Sequence, residues 1–172
     1  MSRMQEEGVI SGWGLGVNTT EPIELAMELE ETPPSVCLTA TQYTLLQHER
    51  ALERMMPLAE QKGLRLIVGS PFDSGALLGG DHFHYAEVPP AIRQRVQQLR
   101  ETAEQYAVSL KDAAIQFSAA HPAVSMVIPG SSRPEHLRED AESMSAQIPA
   151  EFWEQLRDRG LISERAPVPD QE

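Results

Sequence analysis

The 172-residue sequence predicts an α/β domain with a parallel sheet, either an open doubly wound sheet or part of a (β/α)8 barrel. Two observations carry this. Short apolar strand candidates alternate with helical patterns along the chain, and the loops leaving the third and fourth candidates are rich in glycine, serine and proline. Four strand candidates are half of what a closed barrel takes, so the pattern predicts that the remaining strands are missing or supplied by another chain.

Gly12–Val17 is short, apolar and glycine-rich, as suits a buried strand where backbones or a ligand approach closely. Thr20 caps a helix with Pro22 in its first turn, and Pro33-Pro34 ends it. Val36–Ala40 is the second strand. A turn at Tyr43–Leu46 leads to a helix over 48–62, bent by Pro57 and stopped by Gly63. Leu64–Val68, aliphatic and β-branched between two glycines, is the third strand, and a long loop follows over 70–88. Ile92, Val96, Leu99, Ala103 and Tyr106 form one helical stripe, and Ser109 with Asp112 makes a capping box for the next helix. Val124–Ile128 is the fourth strand. Ser132 and Glu135 form another capping box for a helix over 133–144, and Pro149 opens a last helix bearing Phe152, Trp153 and Leu156.

Composition narrows the function. The chain carries 26 acidic against 14 basic residues, a net charge of -12 that repels nucleic acid and anionic membrane surfaces. Its single cysteine, Cys37, lies in an apolar stretch and reads as a buried thiol, and no run of about 18 apolar residues suggests a membrane span. A cytoplasmic protein is expected. The proline-rich, charged segment 165–172 is expected to be disordered, which leaves 1–164 as the folded unit.

The chemistry concentrates in two loops. Ser70-Pro71-Phe72-Asp73-Ser74-Gly75-Ala76-Leu77-Leu78-Gly79-Gly80 and Pro129-Gly130-Ser131-Ser132-Arg133-Pro134-Glu135-His136-Leu137 combine small residues, which let backbone N–H groups approach an anion, with hydroxyls. The second runs into a helix N-terminus whose dipole favours phosphate. Turn formation and helix capping account for both loops equally well on local grounds. His82 and His84 alternate without a third ligand at a recognisable spacing and predict no metal site; Glu28, Glu30 and Glu31 read as a solvated face, and Met55-Met56 as core.

SPFDSGALLGG and VIPGSSRPEHLRED resemble the strand-seven and strand-eight signatures of the aldo-keto reductases, and GWGLGVN and TATQYTLL resemble that family's strand-five and strand-six segments. The FHY-like stretch Phe83-His84-Tyr85 is most similar to the aldose, fucose and pyridoxal dehydrogenase branch. The resemblance runs from about Glu7 to Leu161 and implies the C-terminal half of a (β/α)8 TIM barrel, strands five to eight with their helices and a C-terminal helix. It also implies NAD or NADP bound across the C-terminal barrel face, and hydride transfer between a carbonyl and an alcohol on aldose or aldehyde substrates. Carried over by position, Ser70 and Phe72 approach the pyrophosphate, Ser131, Ser132, Arg133, His136, Glu139 and Asp140 surround the adenosine end, and Asn18 touches the carboxamide.

Departures from the family pattern shape the expectation. Gly130 stands where a lysine often pairs with the 2′-phosphate of NADP, and His136 where an arginine often does, so NAD is favoured, with Arg133 as a partial substitute. Gly69 stands where a tyrosine commonly stacks on nicotinamide, and the carboxamide-binding glutamine falls nearer Ala40 than Gln42. The family's catalytic Asp, Tyr, Lys and His come from the first four strands, which these 172 residues do not match; Tyr43 and Tyr85 are not assigned the role. The chain alone is therefore expected to be inactive. Either the missing half is supplied by a complementary N-terminal half-barrel or is lost to truncation, or the chain is a non-catalytic half that pairs with itself or completes a partner barrel and at most binds a nucleotide.

Overall fold

The structure, a computed structural model, describes residues 1–84, 86–131 and 133–169. Helix α1 (Ser2–Glu6) precedes β1 (Gly16–Val17), α2 (Glu21–Ala26), β2 (Val36–Ala40), α3 (Glu49–Glu53), α4 (Met55–Lys62) and β3 (Arg65–Gly69). A 3₁₀ helix (Asp73–Leu78) and a hairpin of β4 (His82–Phe83) and β5 (Ala86–Glu87) follow. The chain closes with α5 (Pro90–Gln105), α6 (Leu110–Ala119), β6 (Val124–Ile128), α7 (Pro134–Ser143) and α8 (Ala150–Asp158).

Strands β1, β2, β3 and β6 form one parallel sheet in that order. A doubly wound sheet reverses its strand order at a switch point. Here each strand is added on the same side of the one before, as around a barrel wall, which decides between the two architectures the sequence allows. Parallel neighbours share a face, so Cys37 and Leu66, then Thr39 and Val68, form rows that are fully buried with the helices. The opposite rows are not covered. Leu38 and Ile67 are half-buried, Met126 next to Ile67 is 55% exposed, and Ile128 next to Gly69 is also exposed.

The sequence patterns hold best where burial enforces them. Val96, Leu99 and Ala103 of the α5 stripe are buried, and the Ser109 hydroxyl accepts the Asp112 N–H at the start of α6. Phe152, Trp153 and Leu156 of α8 are buried, with Phe152 and Trp153 edge-on at 5.0 Å and Tyr43 stacked on Phe117 at 5.4 Å.

Several boundaries differ, each for a local reason. The predicted strand over 12–17 is reduced to Gly16–Val17. Helix α2 stops at Ala26, because beyond the buried Met27 only exposed Leu29 and a run of like charges follow. The helix over 48–62 is broken at Arg54, three residues before Pro57, whose ring excludes a helical carbonyl at Glu53. Gly63 ends α4 in the left-handed conformation, as expected. Helix α7 begins at Pro134 with Arg133 at its N-cap; the cap assigned to Ser132 lies outside the described residues, as does Tyr85.

The segment from Arg165, predicted to fray, is tethered over its described part, 165–169. Ala166 is buried and its carbonyl accepts from Arg157 at 3.0 Å. Just before it, the Ser163 N–H donates to Nε2 of buried His48 at 3.0 Å, while the other ring nitrogen reaches the Thr44 carbonyl at 2.9 Å. That pair of bonds suits a neutral imidazole protonated at Nδ1, and burial lowers the His48 pKa accordingly. Composition alone misses such docking, because one small apolar side chain and two specific hydrogen bonds accomplish it.

Gly14 marks the tightest backbone approach: a Cβ there would lie 1.4 Å from the Val36 carbonyl oxygen, whereas one at Gly16 would meet nothing within 4 Å. Gly14→Ala is expected to destabilise the chain by about 1–3 kcal/mol, the usual cost of overpacking. Gly16→Ala should stay within about 0.5 kcal/mol. Thermal denaturation of the two variants side by side checks this.

Candidate functional site

The pairing of β3 with β6 sets the loops after these strands side by side, with the Ser70 N–H donating to the Ile128 carbonyl at 3.2 Å. Between them opens a groove of about 460 Å³. One wall is the loop after β3, with Ser70, Phe72, Ser74 and Gly75; the other is Gly130 with His136, Glu139 and Asp140 of α7, and Lys111 reaches in from α6.

The first wall is conformationally unusual. Ser70, Asp73 and Ser74 are non-glycine residues with φ of 55°, 50° and 59°, and Gly75 follows at 95°. Left-handed conformations of this kind persist only where the surroundings impose them. Closure of the loop does so here: the Gly80 N–H donates to the Gly75 carbonyl at 2.9 Å, and a Cβ at Gly80 would lie 3.0 Å from that oxygen. The result is a rigid rim lined by hydroxyls and backbone.

Opposite it, Gly130 would admit a Cβ without meeting any atom within 4 Å, so the approach to α7 is open. The Ser131 hydroxyl accepts the Arg133 N–H at 3.2 Å and donates to the Arg133 carbonyl at 2.9 Å. The N-cap side chain, Arg133, makes no capping bond. The N-terminal end of this ten-residue helix, where the helix dipole is positive, lies beside the groove, with His136 of its first turn in the wall.

Of the residues singled out in the sequence, Ser70, Phe72, His136, Glu139 and Asp140 line one groove. Ser131 and Arg133 sit beside it, at the entry to α7, and Ser132 lies outside the described residues. Asn18 follows β1 at the same C-terminal rim of the sheet, exposed and outside the groove wall. Lys111, which the loop motifs did not suggest, is brought in by the packing of α6 against α7. Its signal was indirect, since the Ser109–Asp112 cap fixes Lys111 in the first turn of α6. Tyr43 is a wholly buried core ring whose hydroxyl pKa is pushed up by burial, consistent with giving it no acid–base role.

Beneath the rim, Asp73 is 0% exposed and neither carboxylate oxygen has a hydrogen-bond partner among the described residues. His84 Nε2 of the β4–β5 turn stands 3.8 Å away. Burial pushes the Asp73 pKa up, with His84 and Thr44 opposing it only in part.

Residues 1–159 match the aldo/keto reductase family. The chain belongs to that family. It is 38% identical over 167 residues to a pyridoxal 4-dehydrogenase of Microbacterium luteolum, covering 95% of this chain and 48% of that protein. To a D-threo-aldose 1-dehydrogenase of a Pseudomonas species it is 28% identical over 167 residues, covering 94% and 50% respectively. Among solved structures, an aldo-keto reductase of Bacillus halodurans in its holo form superposes with a TM-score of 0.71 at 22% identity, covering 98% of this chain and 55% of that one. The chain thus spans about half the length of the curated relatives it matches, and its parallel four-stranded arc is a half-barrel.

The buried Asp73 makes a pH-dependent prediction. A carboxyl whose folded pKa lies above its unfolded value of 3.8 binds its proton more tightly in the native state, so native stability declines as pH rises from about that value through the folded pKa. Asp73→Asn removes the charge without changing the shape. The variant is expected to be more stable at pH 7 by on the order of 1–3 kcal/mol, with the gain shrinking toward pH 4. A melting series across that range checks it, and a pH-independent offset would assign the effect to backbone preference instead.

Proposed function

We propose that this chain is the nucleotide-binding half of an aldo-keto reductase-like oxidoreductase acting on aldehyde, aldose or alcohol substrates. The supporting observation is the groove between the loops after β3 and β6, where Gly130 and the first turns of α7 stand opposite a rim bearing the Ser70 and Ser74 side chains. The residues fit a nicotinamide dinucleotide: the Ser70 and Ser74 side chains of the loop after β3 offer hydroxyls to the diphosphate, and Gly130 leaves the approach to α7 open at the adenosine end. Phe72 would shield one side from water, and Ser131, Ser132, Arg133, His136, Glu139 and Asp140 would receive the adenosine end, with Asn18 on the same rim toward the carboxamide. When bound, the nicotinamide supplies or accepts the hydride. The acid–base groups that the resemblance places on the first four strands would come from a complementary half.

NAD is favoured over NADP. Gly130 and His136 place no permanent cation where a 2′-phosphate would sit, which forgoes charge-assisted bonds to it. A second reading, a half-barrel that pairs with itself and at most binds a nucleotide, draws on the uncovered sheet face at Leu38, Ile67, Met126 and Ile128 and on the open β1 and β6 edges.

One experiment addresses both. The chain is mixed with the N-terminal half of a related reductase, and NAD-dependent oxidation of aldoses and aldehydes is followed by absorbance of the reduced nicotinamide. Turnover that requires both halves is the expected outcome. Nucleotide binding without turnover favours the second reading, and neither binding nor turnover contradicts the proposal.

A further inference from the structure

The segment that follows α8, residues 161–166, is held by three side chains from different parts of the fold. Arg95 of α5 donates to the Leu161 carbonyl at 2.9 Å, Arg157 of α8 donates to the Ala166 carbonyl at 3.0 Å, and between them Nε2 of His48 accepts the Ser163 N–H at 3.0 Å. Leu161, Ile162 and Ala166 are buried, while Glu164 and Arg165 are exposed. His48 stands at the start of α3, where the loop after β2 ends, and that loop leaves the sheet at the same end as the two groove loops. The segment is therefore fastened to a rim loop as well as to its own helix.

Of the three contacts, the one to His48 is the one that pH can change. Arginine keeps its charge throughout, whereas a histidine gains a proton between about pH 8 and about pH 5. The His48 side chain is 0% exposed. Its Nδ1 is committed to the Thr44 carbonyl at 2.9 Å. From α3, Glu49 Oε1 stands 3.7 Å from Nε2; from α5, Arg95 donates to that same oxygen at 2.9 Å; from α6, the Phe117 ring meets the imidazole edge-on at 5.0 Å. Burial lowers the His48 pKa, Glu49 and the Thr44 carbonyl oppose this, and Arg95 adds to it. A folded pKa below the ordinary 6.5 means that this contribution to stability is fully present above about that pH and is lost as pH falls through the folded value.

We propose that residues 161–166 are a pH-operated strap: neutral His48 holds them on the loop after β2, and its protonation lets them go. A proton taken from solvent turns Nε2 from an acceptor into a donor, so two N–H groups face each other where one hydrogen bond stood. The neighbouring Arg95 adds like charge, and Glu49 is the anion toward which the new donor is drawn, away from Ser163. A terminal segment of this kind opens locally while the core stays folded. The inference does not depend on what the groove binds.

The test is amide hydrogen exchange of the whole chain, read as protection factors from about pH 8 to about pH 5, with the imidazole nitrogen shifts of His48 followed by NMR over the same range. In the wild type, protection at Ser163 and Ala166 is expected to fall by about tenfold between pH 7 and pH 5, in step with the His48 titration, while α5 and α8 stay protected. His48→Gln keeps an acceptor near Nε2 but does not titrate, so its strap should stay protected without the step. His48→Phe keeps a ring against Phe117 but removes both hydrogen bonds, so its strap should exchange fast at every pH. Wild-type protection that is flat over this range, a loss that does not follow the His48 titration, a loss shared equally by α5 and α8, or a folded His48→Gln variant that keeps the wild-type step overturns the inference. If neither His48 variant folds, the wild-type comparison of strap protection with the His48 titration decides by itself.

Discussion

The pairing of β3 with β6 is the constraint on which the rest of this structure depends. Residues 70–123, with a hairpin and two helices, intervene between strands that nonetheless register from Leu66 against Val124 to Gly69 against Ile128. Because both strands run the same way, their following loops emerge at the same edge, and the Ser70 to Ile128 hydrogen bond fastens one to the other. Every groove residue is placed by this pairing or by the helices packed against it. The register shifts between Leu66 and Ile67, where Ser125 is accommodated and its hydroxyl donates to the Leu66 carbonyl at 3.2 Å.

Two chemistries divide the molecule. On the helix side, Tyr43, Phe117, Phe152 and Trp153 form a continuous aromatic core beneath β2 and β3. On the other side, the sheet offers an apolar face that in the full-length relatives belongs to a longer chain, of which this one spans about half. The site lies at the rim between the two. Its geometry comes from within these residues, and on the proposed reading the groups that act on a substrate would come from a complementary half, which makes binding and turnover separately testable.

Much of this was legible in the sequence. Val36–Ala40 and Val124–Ile128 coincide with strands as read, because apolar runs bounded by turn residues have few alternatives. The two glycine- and serine-rich loops converge on one groove because local chemistry and strand order pointed to the same place. What escaped left no periodic pattern in the sequence or depended on one specific contact. The hairpin at 82–87 comprises two-residue strands too short for a period, the tether at Ala166 rests on Arg157, and Lys111 becomes part of the site only through its distance from Asp140. The break at Arg54 lay within reach, since a proline's effect falls on the turn before it.

The central claim is that a nicotinamide dinucleotide binds between the loops after β3 and β6. Hydrogen–deuterium exchange with and without saturating NAD tests it most directly. The account predicts slower exchange at the backbone amides of 70–80 and of the first turn of α7, with little change in α5 and α8. Protection confined to the open sheet face, or unchanged exchange in both loops despite measurable NAD binding, would contradict it.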